Sequence, residues 1–155
     1  MTEGVRTKRS SQGVSVHGSL VILELQRATH AAGGHLEELI ADAGISQGEA
    51  HVLALLADSA AHTVGELQRD LGHRPSTLTG ILDRLESRGL IRRALNEADR
   101  RSFLVSLTRT GQTAARSVMS ALRQIEQKAL EHISARDVAG FHAVAQALAE
   151  RSTER

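Results

Sequence analysis

Between residues 75 and 107 the chain switches its hydrophobic period, and that switch constrains the fold more than any other feature. Leu78, Ile81, Leu82 and Leu85 recur at the three- and four-residue spacing of one helix face. Pro75 suits the first helical position. The stripe stops at Gly89, and a glycine at C′ lets Leu90 fold back on Leu85 in a Schellman stop. Residues 90–93 and 102–107 then read as paired strands, with Phe103, Val105 and Leu107 alternating with Ser102, Leu104 and Ser106. The connection, residues 94–101, ends in Asp99, Arg100 and Arg101.

The residues before this segment add a second helix. Thr63 and Glu66 have the spacing of a capping box and open a helix through Leu67 to Leu71, with Gly72 at a tight turn. Residues 65–85 therefore fit a helix-turn-helix, whose second helix leaves one face free for the DNA major groove. With the apolar stripe turned inward, Ser76, Thr77, Thr79, Gly80 and Arg84 face outward. Hydroxyls reach base edges or phosphates, and Gly80 permits close approach. Arg74, at the leading end, is placed to meet a guanine or a phosphate.

The flanks read as helical. A long helix spans about residues 18–43, and Gly33-Gly34 inside it, each about 1 kcal/mol worse than Ala, predicts a kink or short break. Ser46 and Glu49 form another capping-box pattern, opening a helix with Val52, Leu53, Leu55 and Leu56. Two helices close the chain. The first runs from 108 or 109 to about 131 with Ala115, Val118, Leu122, Ile125 and Ala129 on one face; the second follows Ser134–Asp137 and carries Val138, Phe141, Ala145 and Leu148. Residues 1–16 read as a mobile, polar arm.

Composition narrows the function. The 155 residues suit one domain, and with two Phe, no Trp and no Tyr the core must be aliphatic. Cysteine is absent, which excludes disulfides, thiolate metal sites and thiol redox sensing. No apolar run is long enough to span a bilayer, and the start lacks a signal-peptide pattern, so a cytoplasmic protein is expected. The net charge is only +1, but residues 62–111 hold nine arginines against six acids. Arginine's planar fork suits phosphate and guanine.

Two motifs tie these readings to a family. Asp83-Arg84-Leu85-Glu86-Ser87-Arg88-Gly89-Leu90-Ile91-Arg92-Arg93 is followed, past Asp99-Arg100-Arg101, by Val105-Ser106-Leu107-Thr108-Arg109-Thr110-Gly111. In order and spacing they resemble the MarR family of bacterial transcription regulators. The resemblance implies a mainly α fold with a small β-wing. It places a winged helix-turn-helix DNA-binding lobe at 46–108 and a helical dimerisation region at 17–45 and 109–155. It implies a homodimer that binds double-stranded DNA at a pseudo-palindromic operator, acts as a repressor and answers to a small-molecule effector, with no cofactor and no catalysis. Lack of aromatics argues against an effector pocket that works by stacking.

By the same resemblance Arg101 enters the minor groove, Asp99 orients it by ion pairing, and Arg100 contacts phosphate. Asp99 has a competing reading as a plain turn residue. Gln68 and Gly80 depart from the family's usual small Ala and Arg. Two other readings stand beside the regulator. One is a winged-helix assembly module without DNA; the other is a zinc-responsive regulator built on His30, His35, Glu38 and His51, with Glu37 near by. A histidine-carboxylate hydrolase is the weakest, because no nucleophile elbow, phosphate loop or His-Glu-x-x-His pattern occurs.

Overall fold

The computed structural model describes residues 20–58 and 61–152. The expected arm at 1–16 and the first residues of the expected opening helix lie outside them. The chain runs α1 (Val21–Ile40), a 3-10 turn (Ala41–Ala43), α2 (Gln47–Asp58), β1 (His62–Thr63), α3 (Val64–Leu71) and α4 (Pro75–Ser87). It continues through β2 (Ile91–Leu95), β3 (Phe103–Leu107), α5 (Arg109–Leu130) and α6 (Ala135–Ser152). The fold is mainly helical with a small antiparallel sheet in the order β1-β3-β2.

The break expected at Gly33-Gly34 is absent: α1 is continuous across both glycines. Gly33 serves packing instead. It is buried, and the side-chain amide of Gln47, at the start of α2, packs into the space a β-carbon there would take. Tertiary contact outweighs the intrinsic penalty of glycine.

Local sequence sets most helix ends. Thr63 caps α3 in a complete box: its hydroxyl accepts from the Glu66 N–H at 3.2 Å, and the Glu66 carboxylate accepts from the Thr63 N–H at 2.7 Å. Gly89 adopts φ 65°, the Leu90 N–H donates to Leu85 O at 2.9 Å, and the Gly89 N–H donates to Glu86 O at 2.8 Å. That is the Schellman pattern the sequence predicts. The β-ribbon reaches further than expected, because Ala94 and Leu95 still pair with Leu104 and Phe103. β1 was not expected; two residues are too short to show alternation, and only their pairing with Val105 and Leu104 makes them a strand.

One aliphatic core binds these elements. Leu36 and Ile40 of α1, Val52, Leu53 and Leu56 of α2, Leu67 of α3, Leu78, Leu82 and Leu85 of α4, Val105 of β3 and Val118 of α5 are all nearly fully buried. Each such side chain contributes about 1.5–3 kcal/mol. The joint between the ribbon and α5 is tight. Thr108 caps α5 by accepting from the Gly111 N–H at 3.0 Å, and its own N–H donates to Leu90 O at 3.0 Å. A β-carbon on Gly111 would lie 1.8 Å from that same carbonyl oxygen, so only glycine fits.

The ends of the chain are packed differently. In α1 only Gly33, Leu36 and Ile40 are buried, and no residue of α6 whose side chain is described is buried. Leu20, Val21, Ile22, Leu23, Phe141 and Val144 are exposed. Among the described residues no helix is long and apolar enough to cross a membrane.

Candidate nucleic-acid interface

Helix α4 buries Leu78, Ile81, Leu82 and Leu85 and turns Ser76, Thr77, Thr79 and Arg84 outward, with Gly80 half-buried between them. The Thr79 hydroxyl donates to Pro75 O at 2.9 Å, so it offers lone pairs outward rather than its proton. Arg74 is exposed at the N-cap, beside the unpaired amides of the first turn. A row of small polar groups led by a cation is a surface that a phosphate chain can approach closely.

The arginines of this region fall into two sets. Arg88 and Arg93 are occupied within the protein, and Arg84 is engaged there through its Nε. Arg93, on β2, braces α4 by pairing with Asp83 and, at 3.1 Å, with Glu86. Arg88 donates to Gly44 O at 2.9 Å and to Ala43 O at 3.0 Å, tying the end of α4 to the turn after α1. Arg84 Nε stands 3.3 Å from Oε1 of Glu49, whose side chain is only 5% exposed. Much of the basic excess in the sequence is therefore internal. Arg74, Arg100 and Arg101 are exposed and have no ion pair among the described residues.

Glu49 was read from sequence only as a cap. It is one, accepting from the Ser46 N–H at 2.8 Å and from the Ser46 hydroxyl at 2.9 Å. Burial pushes its carboxyl up, but the Ser46 hydrogen bonds and then Arg84 outweigh burial and hold it below the usual carboxylate range. Its contact with α4, 35 positions along the chain, left no mark in any local pattern.

The wing tip is ordered by three polar residues. Asn96 Oδ1 accepts from the Ala98 N–H, Asn96 Nδ2 donates to Ser102 Oγ at 3.0 Å, and Ser102 N–H donates to Asp99 O at 2.9 Å. Asp99 Oδ1 accepts from the backbone N–H of Arg101 at 3.1 Å. The expected ion pair between Asp99 and Arg101 is not formed. Two positions apart in a tight turn, the carboxylate meets the amide before it can reach the guanidinium. Asp99 shapes the loop, and Arg100 and Arg101 project from it. Asn96 and Ser102 were not singled out from sequence, since their role depends on the hairpin closing.

The histidines do not assemble. His35 Nδ1 lies 3.4 Å from Glu38, but among the described residues no three His, Asp or Glu side chains are grouped to hold a metal. His51 is half-buried on α2; burial, and then the nearby His73, lower its pKa. A site shared by His30, His35, Glu38 and His51 is not present among the described residues, and His51 instead lies near His73 of the α3–α4 turn.

Where α2, β3 and α5 meet, a cleft of about 560 Å³ opens. Leu56, Leu107, Ala115 and Met119 give it apolar walls, and Asp58, Gln112, Arg116 and Arg123 give it polar ones.

A model of the MarR family matches residues 45–103. The chain is 34% identical over 116 residues to the homoprotocatechuate degradative operon repressor of Escherichia coli, covering 72% of this chain and 77% of that protein. CouR from Rhodococcus jostii RHA1, solved bound to p-coumaroyl-CoA, has the same fold, with a TM-score of 0.75 at 21% identity over 88% of this chain and 96% of that one. BpsR of Bordetella bronchiseptica, whose DNA binding is regulated by 6-hydroxynicotinic acid, superposes with a TM-score of 0.70 at 23% identity over 83% and 97%. The family pattern falls on the winged lobe, and the likeness to the repressor runs over nearly three quarters of the chain, so this chain belongs to the MarR family, transcriptional regulators rather than enzymes.

Proposed function

We propose that the protein is a homodimeric, sequence-specific DNA-binding repressor acting in the cytoplasm on a pseudo-palindromic operator. The lobe at 46–108 meets DNA, and the helices at 17–45 and 109–155 join two copies. The observation that carries this reading is the pairing of a hydroxyl-lined α4 face with Arg74, Arg100 and Arg101, which are exposed and have no ion pair among the described residues. In it, Ser76, Thr77, Thr79 and Gly80 enter a major groove, Arg101 enters the minor groove, and Arg100 and Arg74 hold phosphates. The two-fold axis of a dimer would repeat the contact one helical turn away, about 34–36 Å. The apolar residues left open on α1 and α6 supply a dimer surface.

The cleft between α2, β3 and α5 suits a small molecule with an apolar body against Leu56 and Met119 and an anionic group at Arg116 and Arg123, turned away from the Asp58 carboxylate that also lines it. It has no aromatic wall for stacking. That CouR holds an acyl-CoA and BpsR answers to an aromatic acid supports an effector of this chemistry. The test is binding to the DNA upstream of the protein's own gene at several salt concentrations. The affinity should fall with a slope of about −0.9 in log–log form for each phosphate neutralised. No binding, or a flat response, would instead favour an assembly module.

A further inference from the structure

Arg84 is held in a way that a plain structural ion pair does not require. Its side chain remains 58% exposed, yet its Nε is engaged by a carboxylate that is almost wholly buried. Glu49 has no freedom to follow it: Oε2 is fixed by the Ser46 N–H and hydroxyl, and Oε1 is the oxygen facing Arg84. The guanidinium is thus gripped on one edge by a rigid acceptor on α2. Its Nη1 lies 3.6 Å from where a β-carbon on Gly80 would stand. The fork therefore lies back along α4, as helical side chains lean toward the N-terminus. Residues 76, 80 and 84 are successive i+4 neighbours, so it lies along the row that begins with Ser76. Neither Nη group donates to another residue among those described.

We propose that Glu49 is a positioning residue for DNA recognition: it takes the Nε of Arg84 so that the two-Nη edge, laid over Gly80, is presented to a base acceptor in the major groove. This rests on the DNA-binding reading above. A free arginine at this position would sample many rotamers, and fixing it beforehand removes an ordering cost on binding. Arg88 also reaches Glu49, its Nη1 standing 3.6 Å from Oε2, but it does not share the role, because both its Nη groups are already given to the carbonyls of Ala43 and Gly44. Discrimination among bases depends on where a donor fork points, whereas phosphate attraction does not.

The test uses the full chain and two duplexes: one enriched by the wild-type protein from a random-sequence pool, and one of equal length and random sequence. The readout is the ratio of the two affinities, taken for wild type, Glu49→Gln, Arg84→Ala, Arg84→Lys and the Glu49→Gln/Arg84→Ala pair, with a thermal melt of each. Each single variant should lose about tenfold in the ratio, the scale of one bidentate base contact. The double variant should be no worse than Arg84→Ala, because Glu49 acts through Arg84. Arg84→Lys keeps the charge on an exposed site and so reports even if Glu49→Gln fails to fold. It should show the same loss, since an ammonium cannot be held on one edge and offer a fork on the other. A wild-type ratio in Arg84→Lys, or losses that multiply in the double variant, would overturn the positioning role while leaving DNA binding intact. A wild-type protein that prefers neither duplex would sink the DNA reading together with it.

Discussion

The winged lobe and the terminal helices spend their apolar residues in opposite ways. Helices α2, α3 and α4 turn their aliphatic stripes onto one another, and Leu53, Leu67, Leu82 and Leu85 disappear from the surface. Helices α1 and α6 leave Val21, Leu23, Phe141 and Val144 open, with a shallow groove of about 250 Å³ between them. Among the described residues, all the exposed large apolar ones except Leu95 and Phe103 of the wing lie on or beside α1, α5 and α6. The lobe closes its core within one copy, whereas α1 and α6 keep much of their apolar surface open. The exposed face of hydroxyls and arginines and the open apolar surface thus lie on separate parts of one chain, joined through Leu36, Ile40 and α5.

Severing that joint should have the largest effect. Gly111→Ala places a methyl group on the carbonyl of Leu90, backbone against backbone, at the point where the ribbon hands over to α5. Neither side can yield without breaking the Thr108 cap, so a loss of about 3 kcal/mol or more is expected. A denaturant melt measures it, and a variant as stable as wild type would show that the joint is looser than the geometry implies. Next in size is Phe141→Asp combined with Leu23→Asp. Charges on the open surface should dissociate the dimer by at least about tenfold while the lobe keeps its helical signal, each buried apolar side chain being worth about 1.5–3 kcal/mol. Sedimentation would check it, and an unchanged oligomer would place assembly elsewhere. Arg101→Ala should then cost about 1–3 kcal/mol of operator affinity and nothing in stability.

How much of this was readable in advance divides along the same line. The lobe was legible because its signals are local: the Thr63–Glu66 box, Pro75, the Leu78–Leu85 stripe and the Gly89 stop act within a few residues. The start of α6 followed from the cap-like Ser134–Asp137 in the same way, while the Thr108 cap of α5 was not read in advance. What escaped depends on contacts distant in sequence. Gly33 reads as a helix breaker until Gln47 is seen beside it. Glu49 reads as a cap until α4 is folded across it, and Asp99 as an ion-pair partner until the wing closes. The arginine excess marked the wing and α4, but charge counting could not separate Arg93, paired with Asp83 and Glu86, from Arg100 and Arg101.

The smallest effect is one of pH, and it belongs to the lobe alone. His51 sits half-buried where α2 meets the α3–α4 turn; burial opposes its protonation, and His73 opposes it further. Its folded pKa therefore lies below the unfolded value of 6.5. Above pH 6.5 the imidazole is neutral in both states, and its full contribution to stability is present. As the pH falls below 6.5 the unfolded chain takes up the proton first, so stability drops through the window down to the lowered folded pKa. Glu49, also lowered, acts in a separate window below its ordinary 4.5, where protonation would release Arg84. The midpoint of thermal unfolding should thus fall between pH 7 and pH 5.5, and His51→Gln, which cannot titrate, should fall less. Equal slopes in the two proteins would mean that His51 is solvated, and that α2 meets the turn less closely than the fold shows.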